Sequence, residues 1–324
     1  MAQIKRTEAR LRQIKQRQWV QKFGQHYVAA TFSDAKEAPG ISTGTTLRPT
    51  KLGQREFHTL SEPETLIALL ALHNPACWDV HEQFVLFPKA REHPLQNHPL
   101  AAGRRFPPFR GTLNVVKRLG HAKHPAVRLK VGEDDAKWPL APFPFTGDLR
   151  LFMLDDKGPF CLNWSVKDKY KDFKEKGPRA KPRPLDDLTD PASVARQDLD
   201  VAYHSDAEIR TQFASKDRLD TELRLNLRNI FLDDSQEVPL EQSARRDGLE
   251  FAREFIGQDI PIHFVARRLA KRFGIEAEEA VALIFQGIWR RELRVDLFRP
   301  LLLTKPLRTE VVDVHVKYAP WFSR

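Results

Sequence analysis

Cysteine is almost missing from this chain of 324 residues: only Cys77 and Cys161 occur, both inside stretches that read as strands. Two such thiols do not make a disulfide framework or a cysteine-rich zinc site, and they are expected to be buried and reduced. Long apolar runs are missing too. The longest, 66–72, falls far short of the ~20 residues that a membrane span needs, and the opening MAQIKRTEARLRQIKQRQ is polar throughout. No signal peptide, span or internal repeat is found, so a cytoplasmic protein with no membrane attachment is expected. Acidic residues are in deficit, 43 Asp plus Glu against 53 Lys plus Arg, which leaves a net charge of +10 and favours a polyanionic partner. Apolar residues make up 41%, enough for real cores and too many for a disordered chain.

What is present is most informative at 146–167, TGDLRLFMLDDKGPFCLNWSVK. Two apolar runs, 149–154 and 160–166, flank Asp155-Asp156-Lys157-Gly158, whose Asp/Gly chemistry suits a hairpin turn. The first strand opens with Asp148 and the second ends with Lys167. Antiparallel pairing sets the start of one beside the end of the other, so the two side chains meet at one end of the hairpin. A carboxylate can hold a divalent metal, and a lysine beside it can orient or activate the attacking water. That pairing is the core of the PD-(D/E)xK nuclease site. The pattern has an acid or amide two residues before the lysine, and here Ser165 departs from it. The competing reading is a surface hairpin with charged ends.

A third candidate lies upstream. Leu60-Ser61-Glu62-Pro63-Glu64-Thr65 opens a helix with an apolar face at Leu66, Ile67, Leu69, Leu70 and Leu72. Ser61 and Glu64 have capping-box spacing, and Pro63 is tolerated in the first turn. Glu64 is thus either a cap or a metal ligand presented on that turn. A strand of alternating character follows at 77–86.

These landmarks resemble the TnsA family of heteromeric-transposase endonucleases. The similarity rests on Leu-Ser-acid-x-Glu at a helix start, Glu82-Gln83-Phe84-x-Leu86 ending a strand, Lys123-His124-Pro125, Thr146-x-Asp148 and Val166-Lys167, in the family's order over roughly residues 55–232. The resemblance implies a restriction-endonuclease-like mixed sheet with Glu64, Asp148 and Lys167 in the catalytic positions. Glu64 and Asp148 would hold magnesium, with manganese able to substitute. Ser165 and the Val166 carbonyl would lie beside the ion. It further implies cleavage of the 5′ strands of double-stranded DNA at transposon ends, alongside a DDE-type partner transposase and an AAA+ ATPase regulator. The alternative is an inactive nuclease fold that assembles such a complex.

The remaining chain divides as follows. Residues 1–54 read as a basic helical arm (Lys5, Arg6, Arg10, Arg12, Lys15, Arg17, Lys22) that lies on phosphates or is simply solvated, with a linker or extended segment from 31 to 57, and residues 55–235 as the nuclease domain. Residues 88–122 resemble an insertion facing DNA or solvent; its histidines His93, His98 and His121, together with His124 just after it, lack zinc spacing. A Pro-rich basic loop at 177–191 precedes a helix at 193–204, a strand at 208–213 and a helix at 219–232. A boundary falls near 233–236, and a fragment ending there is expected to fold alone. Helices at 240–256, from Pro261 to a Gly274 stop, and at 276–287, then strands at 293–297 and 301–303, give a winged-helix-like layout over 236–303. Residues 304–324 read as an extended docking peptide or a disordered end.

Overall fold

A computed structural model describes residues 6–40, 43–120, 124–130, 139–175 and 189–324. His121, Lys123 and most of the Pro-rich loop, with Pro178, Pro182 and Pro184, lie outside the described residues, as does Lys5. The fold is mixed α/β. Its strands are β1 (Thr45–Leu47), β2 (Phe57–Thr59), β3 (Cys77–Leu86), β4 (Ala126–Arg128), β5 (Leu140–Pro142), β6 (Phe145–Asp155), β7 (Gly158–Lys167) and β8 (Arg210–Ser215). Its helices are α1 (Glu8–Gln18), α2 (Glu62–His73), α3 (Thr112–Leu119), α4 (Pro191–Ser205), α5 (Thr221–Phe231), α6 (Gln242–Arg253), α7 (Ile262–Phe273) and α8 (Ala277–Trp289), followed by the short α9 (Val314–Lys317) and α10 (Ala319–Phe322). None is long and apolar enough to cross a membrane.

The central sheet runs β3-β6-β7-β8, antiparallel except for the parallel pair β7–β8. Register across the hairpin is Leu149↔Trp164 down to Asp155↔Gly158, and Gly158, the residue after Asp156-Lys157, takes a positive φ (104°) that favours glycine. Period-2 alternation splits the apolar side chains between the faces. Leu149, Leu151, Met153, Leu162 and Trp164 pack with α2 and α5, while Phe152 and Cys161 pack with Leu199 and Tyr203 of α4 and with Val115 of α3. Both cysteines are free and buried, Cys77 on the α2 side and Cys161 on the α4 side.

Three segments differ from the sequence reading. Residues 31–57 are not a linker: β1 and β2 form a small hairpin, and Arg55 makes a buried two-pronged ion pair with Glu82 (2.8 Å to each oxygen) while donating to the Val80 carbonyl (2.6 Å). The insertion at 88–122 is not a plain surface loop, since Leu95, Phe109 and Val115 are buried against the α4 face. Its Arg118 pairs with Asp206 (2.7 Å) and its Arg104 donates to the Lys157 carbonyl (2.7 Å), so these cations serve packing before any ligand. On α1, Arg10 and Arg17 turn inward to share Glu37 at 2.9 and 2.7 Å, which removes two charges from the surface of the basic arm.

The strands expected at 293–297 and 301–303 are absent. Leu293, Val295 and Leu297 are buried as an alternating pattern requires, but backbone pairing stops at a single bond such as Asp296 N–H to the Arg308 carbonyl (3.0 Å), and a side chain takes over beyond it. Asn226 of α5 donates to the Leu297 and Arg299 carbonyls (2.9 and 2.8 Å) and accepts from Leu301 N–H (3.1 Å). Single bridges, Val295↔Thr309 and Pro261↔Pro306, stand where a wing was expected. α8 rests on α5 through Trp289 against Phe231 (5.2 Å between centroids), and Gln286 donates to the Asp233 and Gln236 carbonyls. Apolar residues on both sides of 235 therefore belong to one cluster. The segment after 304 ends in two short helices over 314–322 that pack on β7 and α2, so it is not a free extended peptide: the Trp164 indole donates to the Trp321 carbonyl (3.1 Å) and His73 meets His315 (3.1 Å).

Candidate active site

Glu64 is third in α2, behind the cap Ser61. Its own N–H donates to Ser61 Oγ (3.4 Å), and the Ser61 hydroxyl donates back to Glu64 Oε1 (2.9 Å). Oε2 accepts from Leu60 N–H and from the Gln83 side-chain amide, both at 2.9 Å. The capping role is thus real. A carboxylate offers about four acceptor positions, and three donors leave one of them open, on Oε1.

Gln83 reaches Glu64 because β3 breaks its alternation. Val80 packs on the α2 side, yet Phe84 and Leu86, an even number of residues on, both pack on the α4 side, so the strand has slipped out of phase. Gln83 itself takes φ +47°, a left-handed conformation that costs a non-glycine residue roughly 1–3 kcal/mol. The displaced Phe84 ring covers Gly147, where any Cβ would lie 2.2 Å from the ring. Glycine at 147 is therefore required by the phase slip opposite.

Asp148 sits just beyond the last paired residues of the hairpin. Its Oδ2 accepts from Val166 N–H (2.7 Å), so the side chain replaces a ladder bond and aligns the carboxylate with the end of β7. Glu64 titrates at about 7, pushed up first by burial and then by the Asp148 charge, with Lys167 opposing the rise. The three side chains predicted from sequence therefore share one electrostatic neighbourhood. Ser165, beside them in β7, turns into the protein and donates a long bond to Gln197 of α4 (3.5 Å).

α4 adds residues that the sequence reading did not single out. Asp200 is buried, with its carboxyl pushed up by burial; Arg196 opposes that rise and Asp148 adds to it, while Lys167 works against it. Arg196 spans Asp200 (3.1 Å) and the Thr146 carbonyl (2.6 Å), tying α4 to the start of β6. Helical spacing aligns 196, 197 and 200 on one face, a weak signal that became informative only once α4 lay across the hairpin. Gln83 carried no signal at all, because alternation predicts the opposite orientation.

No group of three or more His, Cys, Asp or Glu side chains able to hold a metal occurs among the described residues. Glu64 and Asp148 alone fit a weakly held hard cation: both donors are carboxylate oxygen, one Glu64 position is open, and the Asp148 charge, which after burial helps to raise the Glu64 carboxyl, would also attract a cation. No protein-family model matches the chain, and a search of curated proteins finds no match.

Proposed function

We propose that the protein is a metal-dependent DNA endonuclease of the TnsA type, cutting the 5′ strands at transposon ends beside a DDE-type transposase and an AAA+ regulator. The observation that carries this reading is the electrostatic meeting of Glu64, Asp148 and Lys167 at one end of the sheet, from three separate elements. A mixed sheet with α2 on one face and α4 on the other supports a restriction-endonuclease-like core. Helices α6–α8 are read as the helical part of a winged-helix-like module. Exposed Arg267, Arg268, Lys271 and Arg272 of α7 support contact with phosphates there.

Glu64 and Asp148 would hold magnesium, or manganese in its place, with the Val166 carbonyl a further oxygen. Such an ion supplies Lewis-acid polarisation of the phosphate and a more acidic water. Asp148, fixed by Val166 N–H, offers its other oxygen without a change of rotamer. Gln83 and Leu60 orient Glu64 so that the carboxylate does not swing away as DNA enters. Lys167, at the end of β7, would hold the attacking water in line and offset charge on the five-coordinate phosphorus. Ser165 supplies no charge, so ion binding is weak until DNA phosphates complete the set.

The assembly reading has its own support: Glu64 is occupied as a cap, and Ser165 faces α4 instead of the site. Magnesium-dependent nicking of a transposon-end duplex, with partner transposase supplied, separates the two. Glu64→Gln keeps a cap-competent amide. It is expected to slow cleavage by roughly a hundredfold or more with little change in melting temperature, and Asp148→Asn and Lys167→Ala are expected to match it without additivity. Wild-type protein that binds DNA and partner yet cuts under no metal would establish the assembly role instead.

A further inference from the structure

We propose that the cavity between α1 and the β3–β6 edge of the sheet binds a small oxyanion of phosphate size, held by Arg150. This proposal stands apart from the nuclease reading. Arg150 lies in β6 on the same side as Phe152, with 6% of its surface exposed. A guanidinium stays charged in a protein and has five N–H groups to satisfy. Here Nε and Nη2 are buried with no hydrogen-bond partner. Among the described residues, the contacts its charge makes are the ring faces of Phe84 (3.9 Å) and Phe109 (5.6 Å). Ring quadrupoles offset only part of the hydration that such a cation loses, and an unpaired buried charge is among the least favourable arrangements in a folded chain.

Arg150 lines a cavity of about 50 Å³. A water needs about 10–15 Å³ counted in the same way, so the space takes several water-sized groups, as a tetrahedral anion of a few heavy atoms requires. The mouth is basic. Lys22 and Arg91 are in the lining with the single acid Glu92; Arg91 also donates to the Trp19 carbonyl, and Arg17 is already held by Glu37. Phe84 and Phe109 form apolar walls that exclude bulk water and strengthen any charge-assisted bond inside. A guanidinium fork with free N–H groups suits a tetrahedral oxyanion, which accepts two parallel bonds. The rival occupant is water, bridging Arg150 to His204 Nε2. That nitrogen is also buried without a partner, since His204 Nδ1 donates to the Asp200 carbonyl.

Equilibrium dialysis of the full chain against radiolabelled inorganic phosphate, at fixed ionic strength, tests the site. The expected result is saturable binding near one phosphate per chain, displaced by sulfate, retained in Lys167→Ala and lost in Arg150→Met. Should Arg150→Met fail to fold, Arg150→Lys decides: an ammonium lacks the fork, and affinity is expected to fall about tenfold or more. Absence of saturable binding to the wild type leaves water as the occupant and overturns the proposal. So does undiminished binding in Arg150→Lys, or loss in Lys167→Ala, which would place the phosphate in the catalytic cleft.

Discussion

Glu64 shows how one side chain serves two masters. As the third residue of α2 it caps the helix, and as the neighbour of Asp148 it carries a proton that an exposed glutamate would have lost. Because its carboxyl titrates at about 7 when folded, against 4.5 for the ordinary group, the native state binds more protons between those values. Stability contributed by this group is then present below about pH 4.5 and is lost as pH rises through 7. Wild-type protein without divalent metal should lose more melting temperature between pH 5.5 and 8 than Glu64→Gln does. Parallel pH profiles of the two proteins would show that Glu64 is ionised throughout. At this scale the sequence was legible where spacing encodes proximity: Asp148 and Lys167 follow from a hairpin, and Ser61 and Glu64 from a cap. Gln83 was illegible because its position depends on a backbone angle that no local pattern specifies. Asp200 and Gln197 needed the placement of α4, which strand and helix periodicities do not fix.

Among elements, the sequence read well wherever a period was long enough. β3, α4 and α5 fall within a few residues of expectation, and Gly274 ends α7 in the left-handed conformation at φ 68°. The failure at 293–303 has a physical cause. Alternating burial is necessary for a strand but does not supply its hydrogen-bond partner, and here one asparagine supplies three bonds. Asn226→Ala should therefore strip partners from two carbonyls and one N–H together. The expected loss is about 2–4 kcal/mol in denaturant unfolding, from buried groups left unsatisfied. A loss below about 0.5 kcal/mol, the range of an ordinary surface substitution, would mean that water replaces the side chain freely.

For the molecule as a whole, the shared apolar cluster across 235 matters more than the composition change that marks it. Ile230 and Phe231 of α5 are covered in part by α8 and lie in the same cluster as Leu283, Ile284 and Trp289. A fragment of residues 1–235 is expected to bind a hydrophobic dye and to lose near-ultraviolet circular dichroism, while the full chain does neither. A soluble, dye-silent fragment with native aromatic signals would show that the first unit is self-sufficient after all.

The two free cysteines gain a meaning from this architecture. Cys77 is sealed on the α2 face and Cys161 on the α4 face, and burial raises the pKa of both thiols, Cys77 to about 12. Neither reacts from the closed state, so alkylation of each waits on the opening of its own layer. The sheet thus carries a chemical clock on each side. Comparing the two rates would tell whether the helical layers above and below breathe together or one at a time.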